Sequence, residues 1–540
     1  MMDIGLDLWT FFDRVSRHYA AGEIVSYRPG EHGTLQRHAI GYGDWSLRVN
    51  RLMNALDTLG VPAGATVATL GWNSSWHLEA YFGVPCSGRV LHTLNIRVSD
   101  DELVYMINDA ADVAVLVDED FLPAITRIRD RIPGVAHVIV WGEHGVDEDG
   151  GGALGYEALL AAAPTHYARP RIDENTVMGL CYTSGTTGRP KGVPYTHRST
   201  VLEAMAVTSA AGMDVGPRDR VLPVVPMFHA AAWGMPYACA AVGATQVFYA
   251  GPVHTDALVD VLDDEGVTIS AGVPTVWLPV ADALGRTGRR LPRLRHVICG
   301  GSRPPLSLIR TFAERLDIPM VQAWGMTETS PMAAVAWPQA RMSGWSGDEL
   351  ASSVWDQAGI PLPGIEISIR GEDGREVPAD GESMGDLFVR GPWVTDRYLH
   401  DVGGEAFADG WFATGDVAVA NPDGYFAIAD RTKDLIKSGG EWISSVAMEA
   451  AIMTLPAVSE AAVVAIPDDR WGERPMPYVA LRPGATLDIE EVRVHLGGNG
   501  FARWQLPADL RLIGQVPKTA VGKFDKKMLR AMYGEEQPTP

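Results

Sequence analysis

Cysteine is scarce in this chain, four residues in 540, and Cys86, Cys181, Cys239 and Cys299 stand in apolar surroundings with no Cys-x-x-Cys pair among them. That argues against a disulfide scaffold or a zinc ribbon and predicts buried thiols in a reducing compartment. Basic residues are outnumbered, 45 Lys and Arg against 67 Asp and Glu, for a formal charge of -22. A nucleic-acid binder needs basic patches to neutralise phosphates, so the balance argues against that class as well. No segment approaches the ~20 uninterrupted apolar residues of a membrane-spanning helix. Met1 to Ala21 alternates acidic, aromatic and basic residues, and reads as an amphipathic helix in place of a signal peptide. Together these absences predict a cytoplasmic protein with no integral membrane part, peripheral membrane contact remaining open. Short-period repeats and low-complexity tracts are missing too.

What is present is ordinary globular material, 46% hydrophobic and 21% charged. The length exceeds what one core usually supports, so at least two domains are expected. Short apolar runs at Val113 to Val117, His137 to Val140, Arg220 to Val225 and Leu294 to Cys299 alternate with helix-like segments such as Leu47 to Leu59 and Thr255 to Asp264. That rhythm predicts an α/β fold with largely parallel sheets. Gly142 to Gly155 reads as a surface loop and Gly534 to Pro540 as a disordered tail. Turn signals crowd residues 370 to 430, including Glu372-Asp373-Gly374 and Asn421-Pro422-Asp423-Gly424, which predicts a smaller β-rich part. Beyond Asp430 a βαβ-like pattern through Ala461 to Ile466 marks a second domain.

The most informative segment runs from Tyr182 through Thr183, Ser184, Gly185, Thr186, Thr187, Gly188, Arg189, Pro190 and Lys191 to Gly192. Glycines let backbone N–H groups converge on phosphate oxygens, hydroxyls add neutral donors, and Lys191 adds a mobile charge. No Lys-Ser or Lys-Thr pair follows the second glycine, so this is not a Walker loop. A glycine-rich string is by itself as readily an ordinary turn.

Four further segments, in order, decide between those readings: Trp324-Gly325-Met326-Thr327-Glu328, Gly410-Trp411-Phe412-Ala413-Thr414-Gly415-Asp416, Asp430-Arg431-Thr432-Lys433-Asp434 and Pro517-Lys518-Thr519-Ala520-Val521-Gly522-Lys523. With the phosphate-loop string they resemble the adenylate-forming superfamily of acyl-CoA synthetases, nonribosomal adenylation domains and luciferases. Val225 to Trp233, Leu91 to Arg97 and Lys437 to Ser445 are similar to its medium- and long-chain fatty acyl-CoA synthetase branch, including relatives that act on short thioether acids.

The resemblance implies a large N-terminal domain of layered α/β sheets with a β-rich subdomain, residues 1–429. A hinge at 430–435 and a small mobile α+β C-terminal domain at 436–540 would follow. It also implies ATP, Mg²⁺ and coenzyme A as reaction partners of a small carboxylic acid, with no nucleic acid and, on this ground only, a homodimer. Lys523 would reach the carboxylate and the α-phosphate, although alone it reads as a solvated lysine beside Lys526 and Lys527. Glu328, with Thr183, would hold Mg²⁺, and Thr327 the α-phosphate. The nucleoside would lie against Gly300, Gly301, Ser302, Gln322, Ala323 and Trp324, with Gly325 and Met326 following. Asp416 would accept the ribose hydroxyls beside Arg431 and Lys433, a loop-capping carboxylate being the alternative. His229 would stand at the reacting carboxylate, Trp233 would close the acyl tunnel, and Ala230, Gly301 and Trp324 would border the acid. Taken alone, His229 and Trp233 read as core. Lys437, Ser438, Gly439, Gly440, Glu441 and Trp442 would form the loop that brings in coenzyme A, or simply a β-turn.

Departures from the branch bear on substrate. Ala230 and Ala231 are smaller than that branch usually has, which would enlarge the pocket, and Arg303 after Gly-Gly-Ser would contact a polar group on the acid. A fatty acid is the default substrate and an alicyclic or terpenoid acid the alternative. Rival activities are transfer of the adenylate to another acceptor, a luciferase-like oxygenase, and a non-catalytic ATP-binding scaffold.

Overall fold

The computed structural model describes residues 2, 4–30, 34–142, 152–183, 189–438, 441–468, 470–519 and 524–536. Two mostly parallel sheets dominate. One runs Ile360–Pro361, Met332–Val335, Met320–Gly325, His296–Cys299, Ile269–Gly272, Arg220–Pro223, Thr245–Tyr249, Glu23–Pro29, Leu35–Gly41 in spatial order. The other runs Leu154–Gly155, His137–Trp141, Asp112–Asp118, Thr66–Leu70, Val90–Thr93, Val177–Tyr182, Gly192–Thr196. In both, antiparallel pairs are confined to the ends of the sheet. The predicted apolar runs at 113–117 and 137–140 fall on strands, those at 220–225 and 294–299 contain the strands Arg220–Pro223 and His296–Cys299, and the segments 47–59 and 255–264 lie on helices to within one residue.

Parallel strands are covered on both faces, which is why these runs are continuously apolar. The largest core cluster joins inward residues of both sheets, such as Val221, Phe248, Leu91 and Met178, with the helices Trp9–His18, Tyr42–Thr58, Ser75–Cys86 and His197–Thr208. Two outer clusters cover the opposite faces, one through the helices Thr255–Asp264 and Pro274–Thr287, the other through Asp100–Asp109. Trp45, Tyr81 and Phe82 are fully buried where the layers meet, each removing apolar surface worth about 1.5 to 3 kcal/mol. The helix Ser75–Cys86 is apolar on all sides and buried, yet it carries Glu79. Arg48 reaches Glu79 at 2.6 Å and the Tyr156 hydroxyl donates to it at 2.6 Å. Burial nonetheless pushes the Glu79 carboxyl up to about 7, against the opposing pull of Arg48.

The β-rich part is an antiparallel sheet of Glu366–Arg370, Met384–Arg390, Phe407–Ala408, Trp411–Ala420 and Phe426–Arg431, as the crowded turn signals predict. A fourth sheet with its own core follows, built on strands Ile436–Ser438, Glu441–Ile443, Val458–Asp468, Gly472–Leu481 and Arg511–Ile513. Beyond Asp430 the βαβ-like order expected through Ala461 to Ile466 is present: strand Ile436–Ser438, then helix Ser445–Ile452, then strand Val458–Asp468. Val458–Asp468 turns back at Asp468 and Gly472 into Gly472–Leu481, which lies between those two strands and antiparallel to both. The Asp468 carboxylate accepts from the backbone N–H of Arg470 and Trp471 and closes that turn. A further strand–helix–strand unit follows, from Gly472–Leu481 through the helix Ile489–Gly498 to the parallel strand Arg511–Ile513. At the other end the helix Lys526–Glu536 carries on past Gly534, where a disordered tail was expected, its buried Leu529 seating it on the fourth sheet.

The four cysteines are free and buried, as their surroundings predict. No helix among the described residues is long and apolar enough to cross a membrane.

Candidate active site

The strand Val177–Tyr182 and the antiparallel strand Gly192–Thr196 bracket the glycine-rich string. Its ends are clamped: the Thr183 backbone N–H donates to the Lys191 carbonyl at 3.0 Å, and the Lys191 N–H donates to Thr183 Oγ1 at 3.1 Å. Ser184, Gly185, Thr186, Thr187 and Gly188 lie outside the described residues. The Lys191 ammonium stands 4.7 Å from the centre of the Tyr398 ring, a cation–π contact that holds it at the mouth. Past the second strand, Thr196 caps the helix His197–Thr208 by accepting from the Ser199 N–H.

A cavity of about 360 Å³ opens beside this clamp, within the usual range for a small-molecule site. Its wall brings together residues that the sequence scatters: Thr183 and Lys191; His229, Ala230 and Trp233; Gly301; Ala323, Trp324, Gly325, Met326, Thr327 and Glu328; and Arg431 and Lys433. Ser302 and Gln322 are off the wall, Gln322 being buried with its Oε1 unpartnered among the described residues. Asp416 is also set back, but it reaches the wall through others: Arg431 pairs with it at 2.8 Å, and the Trp324 indole N–H donates to it at 3.4 Å. That pairing follows from register, since Asp416 and Arg431 are directly opposed across two antiparallel strands.

Close approach needs glycine at one point. A Cβ on Gly300 would come within 2.7 Å of the Ala323 carbonyl oxygen and 3.1 Å of the Trp233 ring, so the absent side chain lets three wall segments meet.

Glu328 is buried and held at both ends. Its carbonyl accepts from the Thr395 N–H at 2.8 Å, and its Oε1 accepts from the Tyr398 hydroxyl at 2.7 Å. Burial, reinforced by the neighbouring carboxylate, raises the Tyr398 phenol so that it keeps its proton and remains a donor. The Thr327 carbonyl accepts from Tyr195 at 2.8 Å. Burial also lowers the Lys433 ammonium below its ordinary range.

The segment after His229 has an unusual backbone. Ala230, Ala231, Ala232 and Trp233 carry φ of 44, 50, 49 and 58°, and Gly234 follows at 72°. A left-handed run of non-glycine residues costs roughly 1 to 2 kcal/mol per residue, and it directs Trp233 and Ala230 to the cavity wall.

Other expected residues stand elsewhere. Arg303 forms an ion pair with Asp356, its Nε donating at 2.7 Å, and is absent from the wall, so the expected contact with the acid is corrected: the guanidinium is already committed. Lys437, Ser438 and Trp442 lie on the hairpin of the fourth sheet, where Lys437 stacks 5.0 Å from the Trp442 ring and Ser438 pairs with Glu441. Gly439, Gly440 and Lys523 lie outside the described residues, as does the side chain of Glu441. Arg189, Pro331, Met332, Tyr398, Phe412 and Thr432 are wall residues that the sequence did not single out as a site. Arg189, Phe412 and Thr432 sit inside segments that it did mark, and Tyr398 carries no local signal.

A hydroxyl from Thr183 and a carboxylate from Glu328 on one wall form an all-oxygen donor set suited to a hard cation such as Mg²⁺. Among the described residues no group of three or more His, Cys, Asp or Glu is gathered to hold a metal. The set therefore fits an ion whose remaining ligands come from phosphates and water.

The AMP-binding enzyme family model matches residues 17–399, and the model of the AMP-binding enzyme C-terminal domain matches 447–523. A long-chain-fatty-acid–CoA ligase of Thermus thermophilus is 44% identical over 538 residues, covering 99% of this chain and 96% of that one. A 3-methylmercaptopropionyl-CoA ligase of Ruegeria lacuscaerulensis is 39% identical, covering 98% of both. A medium-chain-fatty-acid–CoA ligase of Ectopseudomonas oleovorans is 38% identical, covering 99% and 97%. Among solved structures, the anthranilate CoA ligase AuaEII in complex with anthranoyl-AMP superposes with a TM-score of 0.88 at 25% identity, covering 99% of this chain and 98% of that one. ATP-bound MatB from Rhodopseudomonas palustris superposes at 0.82 and 24% identity, covering 98% and 99%, a likeness of fold. By its matched domains, its full-length relatives and its fold, this chain belongs to the AMP-binding enzyme family of the adenylate-forming superfamily, in the acyl-CoA ligase branch.

Proposed function

We propose that the protein is an ATP-dependent, AMP-forming acid–thiol ligase that joins a small carboxylic acid to coenzyme A. The carrying observation is one cavity on which Thr183, Lys191, His229, Thr327, Glu328 and Arg431 converge from four segments far apart in sequence.

A carboxylate is a poor acyl donor because its leaving group would be an oxide. It is activated when its oxygen bonds to the α-phosphorus of ATP and the bond from that phosphorus to the bridging oxygen breaks, releasing pyrophosphate. Two anions must meet, so preorganised positive charge and hydrogen bonds are the main source of rate. Lys191 and the clamped string serve the outer phosphates, Thr327 the α-phosphate, and Lys523 the meeting point of carboxylate and phosphate. Thr183 and Glu328 would hold Mg²⁺, which supplies charge neutralisation between phosphate oxygens when bound. His229 orients the incoming carboxylate and Asp416, oriented by Arg431, takes the ribose hydroxyls. In the second step the thiol sulfur attacks the acyl carbon and AMP departs. Residues 436–540 would turn about 430–435 between the steps, moving Lys523 out and the 437–442 hairpin in.

A fatty acid is the default substrate, and Ala230 on the wall favours the bulkier alternative by leaving room. The test is pyrophosphate release with linear, aromatic and polycyclic acids, each with and without coenzyme A, with products followed by mass spectrometry. A thioester that depends on coenzyme A is expected. Pyrophosphate without thioester would replace the reading with an adenylating enzyme that serves another acceptor, and no pyrophosphate with any acid would remove it.

A further inference from the structure

The helix His197–Thr208 buries a glutamate directly behind the cavity wall. Glu203 is 1% exposed, and its Oε1 has no hydrogen-bond partner among the described residues. Its other oxygen presses against the left-handed turn: a Cβ on Gly234 would lie 2.1 Å from Oε2. The backbone N–H of Met332 faces the same carboxyl. Trp233, next to Gly234, and Met332 both line the cavity, so the carboxyl is separated from it by a single layer of chain. One helical turn earlier, on the same face, Thr200 is also buried and its Oγ1 also lacks a partner among the described residues.

Two buried oxygens without partners are expensive, because each forfeits the hydrogen bonds it made with water. A leucine at 203 would fill the space without that cost, and no lysine, arginine or histidine acts on the carboxyl among the described residues. The wall in front of it is the strained run from Ala230 to Trp233, and backbone strain of this kind collects at ligand-binding and switch segments. An acyl chain that displaced Trp233 on entering past Ala230 would meet Glu203 and, on the same helix face, Thr200.

We propose that Glu203 is a specificity-determining residue at the deep end of the acid pocket, selecting acids whose chain carries an oxygen function, a hydroxyl or a carbonyl, that completes its hydrogen bonding. Burial holds the Glu203 carboxyl well above the ordinary range. It is therefore a neutral acid, with a carbonyl oxygen for the Met332 N–H and an O–H left to donate. A hydroxyl or carbonyl on the chain accepts that proton's hydrogen bond, and a saturated chain leaves it unmade.

This inference rests on the ligase reading. The test measures kcat/KM for thioester formation with saturated C6 to C12 acids, each beside its hydroxy and keto counterparts at successive internal carbons. It uses the full-length enzyme and its Glu203→Gln and Glu203→Leu variants. The native enzyme is expected to prefer at least one oxygenated acid over its saturated partner. Glu203→Leu should lower that ratio roughly tenfold or more, mainly by loss of the oxygenated acid, while Glu203→Gln, which still donates and accepts, retains most of it. An unaltered ratio in an active Glu203→Leu enzyme overturns the proposal. Should that variant fail to fold, the native enzyme decides alone: preference for the saturated partner in every pair overturns it. Thioester formation with saturated acids in that case leaves the ligase reading standing, whereas no thioester with any acid removes both.

Discussion

The Tyr398 hydroxyl donates to Glu328 Oε1 at 2.7 Å while the face of the same ring carries the Lys191 ammonium at 4.7 Å. One side chain thus sets the position of both a carboxylate and a cation on the cavity wall. Tyr398→Phe keeps the ring and removes the donor. It is expected to lower kcat/KM for pyrophosphate release roughly tenfold, the value of a hydrogen bond to a charged group. Tyr398→Leu, which also removes the cation–π contact, should cost more and raise the KM for ATP further. Equal effects of the two variants would show that the hydroxyl alone matters.

Arg303 is spoken for by Asp356. Arg303→Ala is therefore expected to leave the ratio of kcat/KM between polar and apolar acids unchanged within about twofold, and to lower stability by no more than ~1 kcal/mol, as for other partly exposed ion pairs. A changed acid preference would mean that the guanidinium leaves Asp356 when substrate is bound.

The left-handed run predicts a gain on substitution. Ala231 is buried at φ 50°, a conformation that glycine adopts freely and alanine does not. Ala231→Gly is expected to raise unfolding stability by roughly 1 kcal/mol, read from denaturant melts of the enzyme without ligands. Loss of stability would mean that the free enzyme does not hold this turn.

Glu79 predicts a pH dependence. Its carboxyl is pushed from the ordinary 4.5 up to about 7 by burial, so the folded state binds the proton more tightly than the unfolded one. Its stabilising contribution is complete below about 4.5 and is lost as pH rises through about 7. Glu79→Gln removes that dependence. The difference in Tm, variant minus native, should climb between pH 5 and pH 8, measured by scanning calorimetry at fixed ionic strength. A flat or falling difference would show that Arg48 keeps the carboxylate charged throughout.

Much of the cavity wall was legible because its residues stand in short strings that resemble a known family. Thr183, Lys191, Thr327, Glu328 and Arg431 were marked by their neighbours in sequence and meet on one wall. Tyr398 was not, because its partner Glu328 is 70 residues away and only the fold brings them together. The handedness after His229 was equally hidden: nothing in Ala-Ala-Ala-Trp asks for a left-handed backbone, and the fold imposes it. Arg303 shows the reverse case, a charged residue next to a nucleotide segment whose partner was invisible until Asp356 folded beside it. For the layered sheets, continuous apolar runs were enough, since burial on both faces leaves its mark on every residue of a strand. The return strand Gly472–Leu481, inserted between Ile436–Ser438 and Val458–Asp468, was not foreseen, because one apolar run pairs equally well in either direction until the turn chemistry of Asp468 is taken into account.

Asp430 and Arg431 are adjacent in the chain and face opposite ways. The buried Asp430 carboxylate accepts from the backbone N–H and hydroxyl of Ser445, both at 2.6 Å, at the start of the helix Ser445–Ile452. Arg431 holds Asp416 on the strand across from it. Under the proposed turn of residues 436–540 about 430–435, two neighbouring residues are therefore fastened to different parts of the molecule. A wide swing has to release either the Arg431–Asp416 pair or the Asp430–Ser445 contacts together with the bond from Ser444 Oγ to the Ala429 carbonyl, and whichever fastening holds decides with which part the residue travels.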